Sequence, residues 1–250
     1  MLAFQAAKID RIKVIYYPKR KEIKGDSEKE VHFCTSILMG KAKLVKFAEF
    51  DSFSNTFDAN CTLKGKWNTW FENNHPIVLE LACGKGDYTL GLARLNPNIN
   101  YIGIDIKGNR LWRGAKTALE ENLKNVAFLR IPIDNIQEYF AAGEVHEIWI
   151  TFPDPQPQKE RKRLSSPKFL KEYRKITSPM AWVNVKTDSD LFYEFTVETA
   201  TEEKLHIDSN IDNVYEQANV SEVLSIKTYY ETMWLAMGRT IKYVKFRLNP

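Results

Sequence analysis

The alternation of short apolar runs with helix-period stretches between residues 77 and 187 constrains this chain more than any other feature. Ile77-Val-Leu-Glu-Leu, Tyr101-Ile-Gly-Ile-Asp-Ile, Val126 to Ile131, Glu147 to Phe152 and Ala181 to Lys186 each read as a buried strand. Helical spacing fills the intervals: Tyr88 to Leu95, Asn109 to Leu123, a short helix after Asp134-Asn135 to about Ala142, and Pro167 to Ile176; Asp190 to about Lys204 follows the fifth strand. Strands that alternate with helices require right-handed crossovers, which predicts an α/β fold with a doubly wound, mostly parallel sheet. Val223 to Tyr230 and Thr240 to Leu248 read as two more strands joined by a short connection, an antiparallel C-terminal hairpin that brings the sheet to seven strands.

In such sheets ligands bind beyond the carboxyl ends of the strands, and the acids and glycines of this chain collect there. Glu80-Leu-Ala-Cys-Gly84-Lys-Gly86-Asp-Tyr-Thr joins the first strand to the first helix. Gly84 and Gly86 let backbone approach a ligand closely. Asp105 ends the second strand, where an acid accepts hydrogen bonds from a ribose. Asp134 and Asn135 follow the third, and a helix N-cap role for Asp134 is compatible with a ligand contact. Two ligands compete for this pattern. A dinucleotide asks for a third glycine, but position 89 is Thr, and Asp87 would repel a pyrophosphate at the helix mouth. S-adenosylmethionine carries a ribose, an ammonium and a sulfonium but no phosphate, and suits Glu80, Asp105 and Asp134 better.

The fourth strand stops at Phe152-Pro-Asp-Pro155, which holds Asp154 on a stiff corner, since each proline fixes its own φ and biases the preceding residue toward extended backbone. The chain then turns basic. From Gln156 to Lys175 there are eight Lys/Arg against Glu160 and Glu172, a local +6, whereas Thr201 to Glu231 is a local −5. This asymmetry suits a polyanion on one face, although a solvated helix is the commoner meaning of a single charge run.

Three scattered cysteines without a CxxC, and four histidines that do not cluster with them, argue against a disulfide framework and a metal site and fit a reducing cytoplasm. No apolar run reaches membrane-spanning length, and Lys8, Asp10, Arg11 and Lys13 break any signal-peptide pattern. Residues 1–38 lack a sustained period and are expected to form a poorly ordered extension, a basic arm, or a stretch upstream of a true start at Met39; residues 39–250 form one domain. Trp67, Trp70 and Phe71, on a short helix within Gly65 to Asn73, read as core and not as a base-stacking platform.

ELACGKGDYT (80–89), YIGIDIKG (101–108), PIDNI (132–136), TFPDPQPQKERKRLSSPKFLKEY (151–173), KTD (186–188) and TYYE (228–231) together resemble the TrmB-type tRNA (guanine-N7)-methyltransferases, from about Met39 to the C-terminus. The resemblance implies a class I, Rossmann-like methyltransferase fold, S-adenosylmethionine as methyl donor, and N7 of guanine 46 in the tRNA variable loop as target. It implies a cofactor site on Glu80, Asp105, Asp134, Asn135 and Asp154, with Asp154 catalytic. It places substrate contacts on Asp188, Thr228, Tyr229, Tyr230 and Glu231. Gln156 and Gln158 stand where the family often has Trp and Lys, so Lys159 is the nearest substitute for the substrate lysine, and the family's arginine after T-x-x-E is not evident near Trp234.

Guanine N7 is a nucleophile with a free lone pair and loses no proton on methylation, so the enzyme's task is positioning and charge stabilisation. Asp154 can orient the base through N1–H and the N2 amine, or stabilise positive charge, without acting as a general base. Cys83 reads as a small filler of the loop. The segment Lys159–Lys175 is the expected tRNA-phosphate surface, and the protein is expected to act as a monomer or homodimer. Alternatives are a class I methyltransferase of another substrate, a non-catalytic RNA-binding subunit, and, least fitting, an NAD-dependent oxidoreductase.

Overall fold

Strands β2 (Ile77–Leu81), β3 (Asn100–Ile104), β4 (Val126–Leu129), β5 (Val145–Thr151) and β6 (Thr177–Thr187) form the parallel centre of the sheet. The structure is a computed structural model and describes residues 44–249, within the compact unit Ala42–Pro250. The expectations for residues 1–38 and Met39 lie outside the described residues. Strand order is β1-β4-β3-β2-β5-β6-β8-β7, where β1 (Thr56–Phe57) adds a short eighth strand beside β4, and β8 (Lys242–Arg247) runs antiparallel between β6 and β7 (Ile207–Ile211).

Period two sorts the strand side chains onto two faces. Leu79, Leu81, Ile102, Ile104, Ile148 and Ile150 join one apolar core with Trp67 and Phe140. Val78, Tyr101, Phe128 and Trp149 join the other, beneath helices α3 (Asp87–Leu95) and α4 (Gly108–Glu120). Residues 44–52 are helical (α1), and α2 (Trp67–Trp70) is a single turn whose aromatics are core: Trp67 stacks on Phe140 and meets Phe57 edge-on. No helix among the described residues is long and apolar enough to cross a membrane.

The C-terminal hairpin departs from expectation in one strand. Val223–Tyr230 is not extended; it forms α7 (Glu222–Ser225) and the start of α8 (Tyr229–Ala236), after α5 (Pro167–Arg174) and α6 (Asp190–Glu202). Local caps decide this. The Ser221 side chain accepts the Leu224 N–H, and Thr228 and Glu231 form a reciprocal capping box at α8. The outer partner of β8 is Ile207–Ile211, at the sheet edge, where three polar residues separate two half-buried isoleucines and leave little apolar signal. The region after β4 is a 3-10 helix, Ile133–Glu138, preceded by Pro132; Asp134 lies in its first turn and does not cap it.

Candidate active site

The order of strands reverses between β2 and β5, and the loops after these two strands part there. Among the described residues six non-glycine residues have positive φ, and three of them, Ala82, Phe152 and Gln156, sit on these two loops. Left-handed backbone at such residues is costly and persists only where surroundings enforce it. Phe152 thus breaks the expectation of extended backbone before Pro153. Its N–H donates to the Lys186 carbonyl at 2.8 Å, which carries the ladder to β6 one residue beyond β5, and the chain must then swing sharply to project Asp154 outward.

Three linked cavities lie along this rim. The first, about 350 Å³, is lined by Ala82, Asp105, Ile106, Ile133, Asp134 and Phe169 among others. A second, narrower one, about 70 Å³, shares Ala82 and adds Gly84, Lys85, Asp87, Arg110, Thr151 and Thr228 to Tyr230. The third, about 710 Å³, shares Arg110, Phe152 and Tyr230 with the second and holds Asp154, Asp188, Trp234 and Arg239.

The predicted residues distribute unevenly over these spaces. Asp105 faces the first; its oxygens accept the Gly84 N–H at 3.0 Å and the Lys107 N–H at 2.8 Å, so it fixes the glycine loop and retains lone pairs for a hydroxyl donor. Asp134 lines the same cavity, paired with Lys168, whereas Asn135 is exposed and outside its lining. Gly84 has φ +59°, and a Cβ there would meet nothing within 4 Å, so the loop opens onto free space above it. Gly86 serves packing: at φ +74° a Cβ would come within 2.5 Å of the Phe128 ring, and the residue does not line the cavities. Asp154 is exposed, with Oδ1 accepting the Gln156 N–H at 3.1 Å and Oδ2 left for another donor.

Four predicted site residues have other surroundings than expected. Glu80 is 2% exposed and does not line the cavities; it accepts from Thr89 N at 2.8 Å, from the Thr89 hydroxyl, and from Thr151 Oγ1 at 2.5 Å. Burial pushes its carboxyl up to about 7 despite the Thr151 and Thr89 hydrogen bonds. It ties the glycine-loop helix to the end of β5. Glu231, expected at the substrate, is fully buried: it meets Lys186 Nζ at 2.7 Å and accepts from Tyr215 Oη at 2.7 Å. Lys186 also donates to the carbonyls of Leu224 and Ile226, and burial holds its pKa down. This pair anchors the segment that presents Thr228, Tyr229 and Tyr230. Lys159 is exposed but lines none of the three cavities. Arg163, in the basic run, is only 3% exposed; it donates to the Pro155 and Pro157 carbonyls and lies over Phe195, bracing the Pro-Asp-Pro corner.

Sequence reasoning missed Arg110, Ile106, Trp234 and Arg239. Arg239 meets Asp188 at 2.6 Å and stacks on Trp234 at 4.2 Å, so a cation does stand near the TYYE helix, delivered from eight residues beyond Glu231. No local pattern flags it, because it arrives by the turn after α8. Arg110 had a signal in its place in the first turn of α4, close behind Asp105, and Ile106 in standing next to Asp105 within YIGIDIKG.

The donor set fits S-adenosylmethionine: an acid for ribose hydroxyls, an apolar wall at Ile106 and Phe169, and a narrow polar cavity at the glycine loop. A family model described as a putative methyltransferase matches residues 74–244. A tRNA (guanine-N(7)-)-methyltransferase of Bacteroides thetaiotaomicron is 47% identical over 84% of this chain and 87% of its own length. One of Porphyromonas gingivalis is 49% identical over 75% of this chain and 78% of its own. Among solved structures, the 16S rRNA methyltransferase KamB superimposes with a TM-score of 0.59 at 16% identity, over 74% of this chain and 94% of that one, a likeness of fold.

Proposed function

The chain belongs to the tRNA (guanine-N7)-methyltransferase family, with S-adenosylmethionine as its cofactor, and from that membership we propose that it methylates N7 of guanine 46 in the tRNA variable loop. The observation that supports the reading is a continuous path along the rim: the first cavity meets the narrow one at Ala82, and the narrow one opens, through Arg110, Phe152 and Tyr230, into the cleft that holds Asp154. Bound S-adenosylmethionine supplies an electrophilic methyl group. Asp105, Asp134 and Ile106 would hold its nucleoside part, Asp105 as acceptor for ribose hydroxyls, and the Gly84 loop with Asp87 and Thr228 would hold its amino-acid part. Asp154, with one oxygen free, accepts from guanine N1–H and the N2 amine and so turns N7 toward the cofactor cavity; its charge also favours the cationic product. Tyr230 and Trp234 flank the cleft as surfaces for a splayed base, and Arg239 holds Asp188 in place at its far wall.

Lys186 and Glu231 act at one remove, as positioning residues for Thr228 to Tyr230. The test is methylation of a tRNA transcript carrying G46 and of the same transcript with A46. Appearance of 7-methylguanosine in the first and its absence from the second is expected. Equal product from both would move the target away from position 46.

A further inference from the structure

A second basic surface begins inside the guanine cleft and does not involve the 159–175 run. Helix α4 places Arg110 and Arg113 one turn apart on one face. Arg110 lines both the cofactor-side cavity and the cleft of Asp154. Arg113 lines an adjoining cleft of about 450 Å³ together with Lys85, Lys227 and Tyr229. The one carboxylate on that cleft's wall, Asp87, accepts the Tyr229 N–H at 3.1 Å, and the remaining cation, Arg94, is paired with Glu121. Among the described residues, the guanidinium groups of Arg110 and Arg113 have no hydrogen bond or ion pair. Lys85 and Lys227 lie over the rings of Tyr229 and Tyr215, at 4.4 and 5.1 Å, and their ammonium protons are not spent on carboxylates. The predicted run is different: Arg163, Lys168, Arg174 and Lys175 are each paired within the chain.

We propose that the tRNA backbone leaves the guanine cleft across α4 and the start of α8, with successive phosphates on Arg110, Arg113, Lys85 and Lys227. The track rests on the reading of the protein as a tRNA methyltransferase. Four cations without carboxylate partners, lining adjoining clefts that share Lys85 and Tyr229 and begin at the cleft of Asp154, are what a flanking sugar-phosphate chain requires, and such contacts set register without reading sequence. Tyr229, 57% exposed between the two clefts, offers a face on which a neighbouring base rests.

The experiment is tRNA binding by the full chain over a range of salt, for wild type and for Arg113→Gln with Lys227→Gln, with S-adenosylhomocysteine affinity and product analysis in parallel. Loss of two phosphate contacts lowers the slope of log affinity against log salt by about 1.5 and weakens binding roughly tenfold at low salt. The KM for tRNA rises accordingly, with kcat and S-adenosylhomocysteine affinity kept. Arg113→Lys with Lys227→Arg, which keeps the charge, restores the slope. An unchanged slope in the Gln variant, or an equal loss in both double variants, overturns the track. Failure of the functional reading would look different: wild type would make no 7-methylguanosine while the slope still fell on substitution.

Discussion

Asp154 and Glu80 are carboxylates at the ends of neighbouring strands, and the fold gives them opposite tasks. Asp154 stands exposed with one oxygen uncommitted, whereas Glu80 is sealed beneath the loop with three donors on it. Asp154→Asn keeps the size and the Gln156 hydrogen bond but loses the charge, so kcat/KM should drop by about 10²-fold or more, the scale of a lost electrostatic partner, with S-adenosylhomocysteine binding retained. Glu80 has a stability signature instead. Its carboxyl titrates near 4.5 when unfolded and about 7 when folded, so the folded state binds more protons between those values. Stability should therefore be highest, for this group, below pH 4.5, fall as pH rises toward 7, and level off above, a loss on the order of 3 kcal/mol. Denaturant titrations at several pH values should show that slope in wild type and a flatter profile in Glu80→Gln. The sequence reveals that acids collect at strand ends. It does not reveal which of them turn inward, because burial of Glu80, Glu231 and Arg163 depends on partners more than 30 residues distant, or on a loop that folds back over them.

The element that completes the site is the segment from α7 through α8. A short apolar run at 223, 224 and 226 mimics a strand, but the Ser221 cap and the Thr228–Glu231 box commit the backbone to helix, and Ile226 packs against Gly91, where a Cβ would come within 2.5 Å of it. The capping signature T-x-x-E was present in TYYE and carried local structural information as well as family resemblance. The buried Lys186–Glu231 pair then docks α8 onto β6. Glu231→Ala strands an ammonium in the core and should destabilise the protein by about 3–5 kcal/mol, measured by chemical denaturation, whereas Lys186→Met with Glu231→Leu should recover much of that loss. The same double variant should still lose tRNA methylation, because the carbonyls of Leu224 and Ile226 lose their donor and Thr228 to Tyr230 are no longer held.

At the scale of the whole molecule the parallel, doubly wound character of the sheet was legible from the period of the hydrophobic pattern, since alternating strands and helices call for βαβ crossovers. The edges were harder. The two-residue β1 and the polar β7 bury too little to leave a pattern, and both are defined by the neighbours they pair with. The rim of the sheet is where the strand ends, the segment from α7 through α8 and the start of α4 meet, so the cleft that holds Asp154 is assembled from residues spread between 110 and 239. That assembly accounts for why Arg239 escapes any local motif. Charge follows the same logic: four of the eight cations in the 156–175 run serve the fold, while cations from three separate elements share one cleft.

The most direct measurement is nucleoside analysis of a tRNA transcript incubated with the protein and methyl-labelled S-adenosylmethionine, followed by mapping of the modified position. The proposed reaction predicts label in 7-methylguanosine, at guanine 46, for wild type and its near-absence with Asp154→Asn. Label in 1-methylguanosine or another nucleoside, or equal labelling by the Asp154→Asn variant, would contradict it.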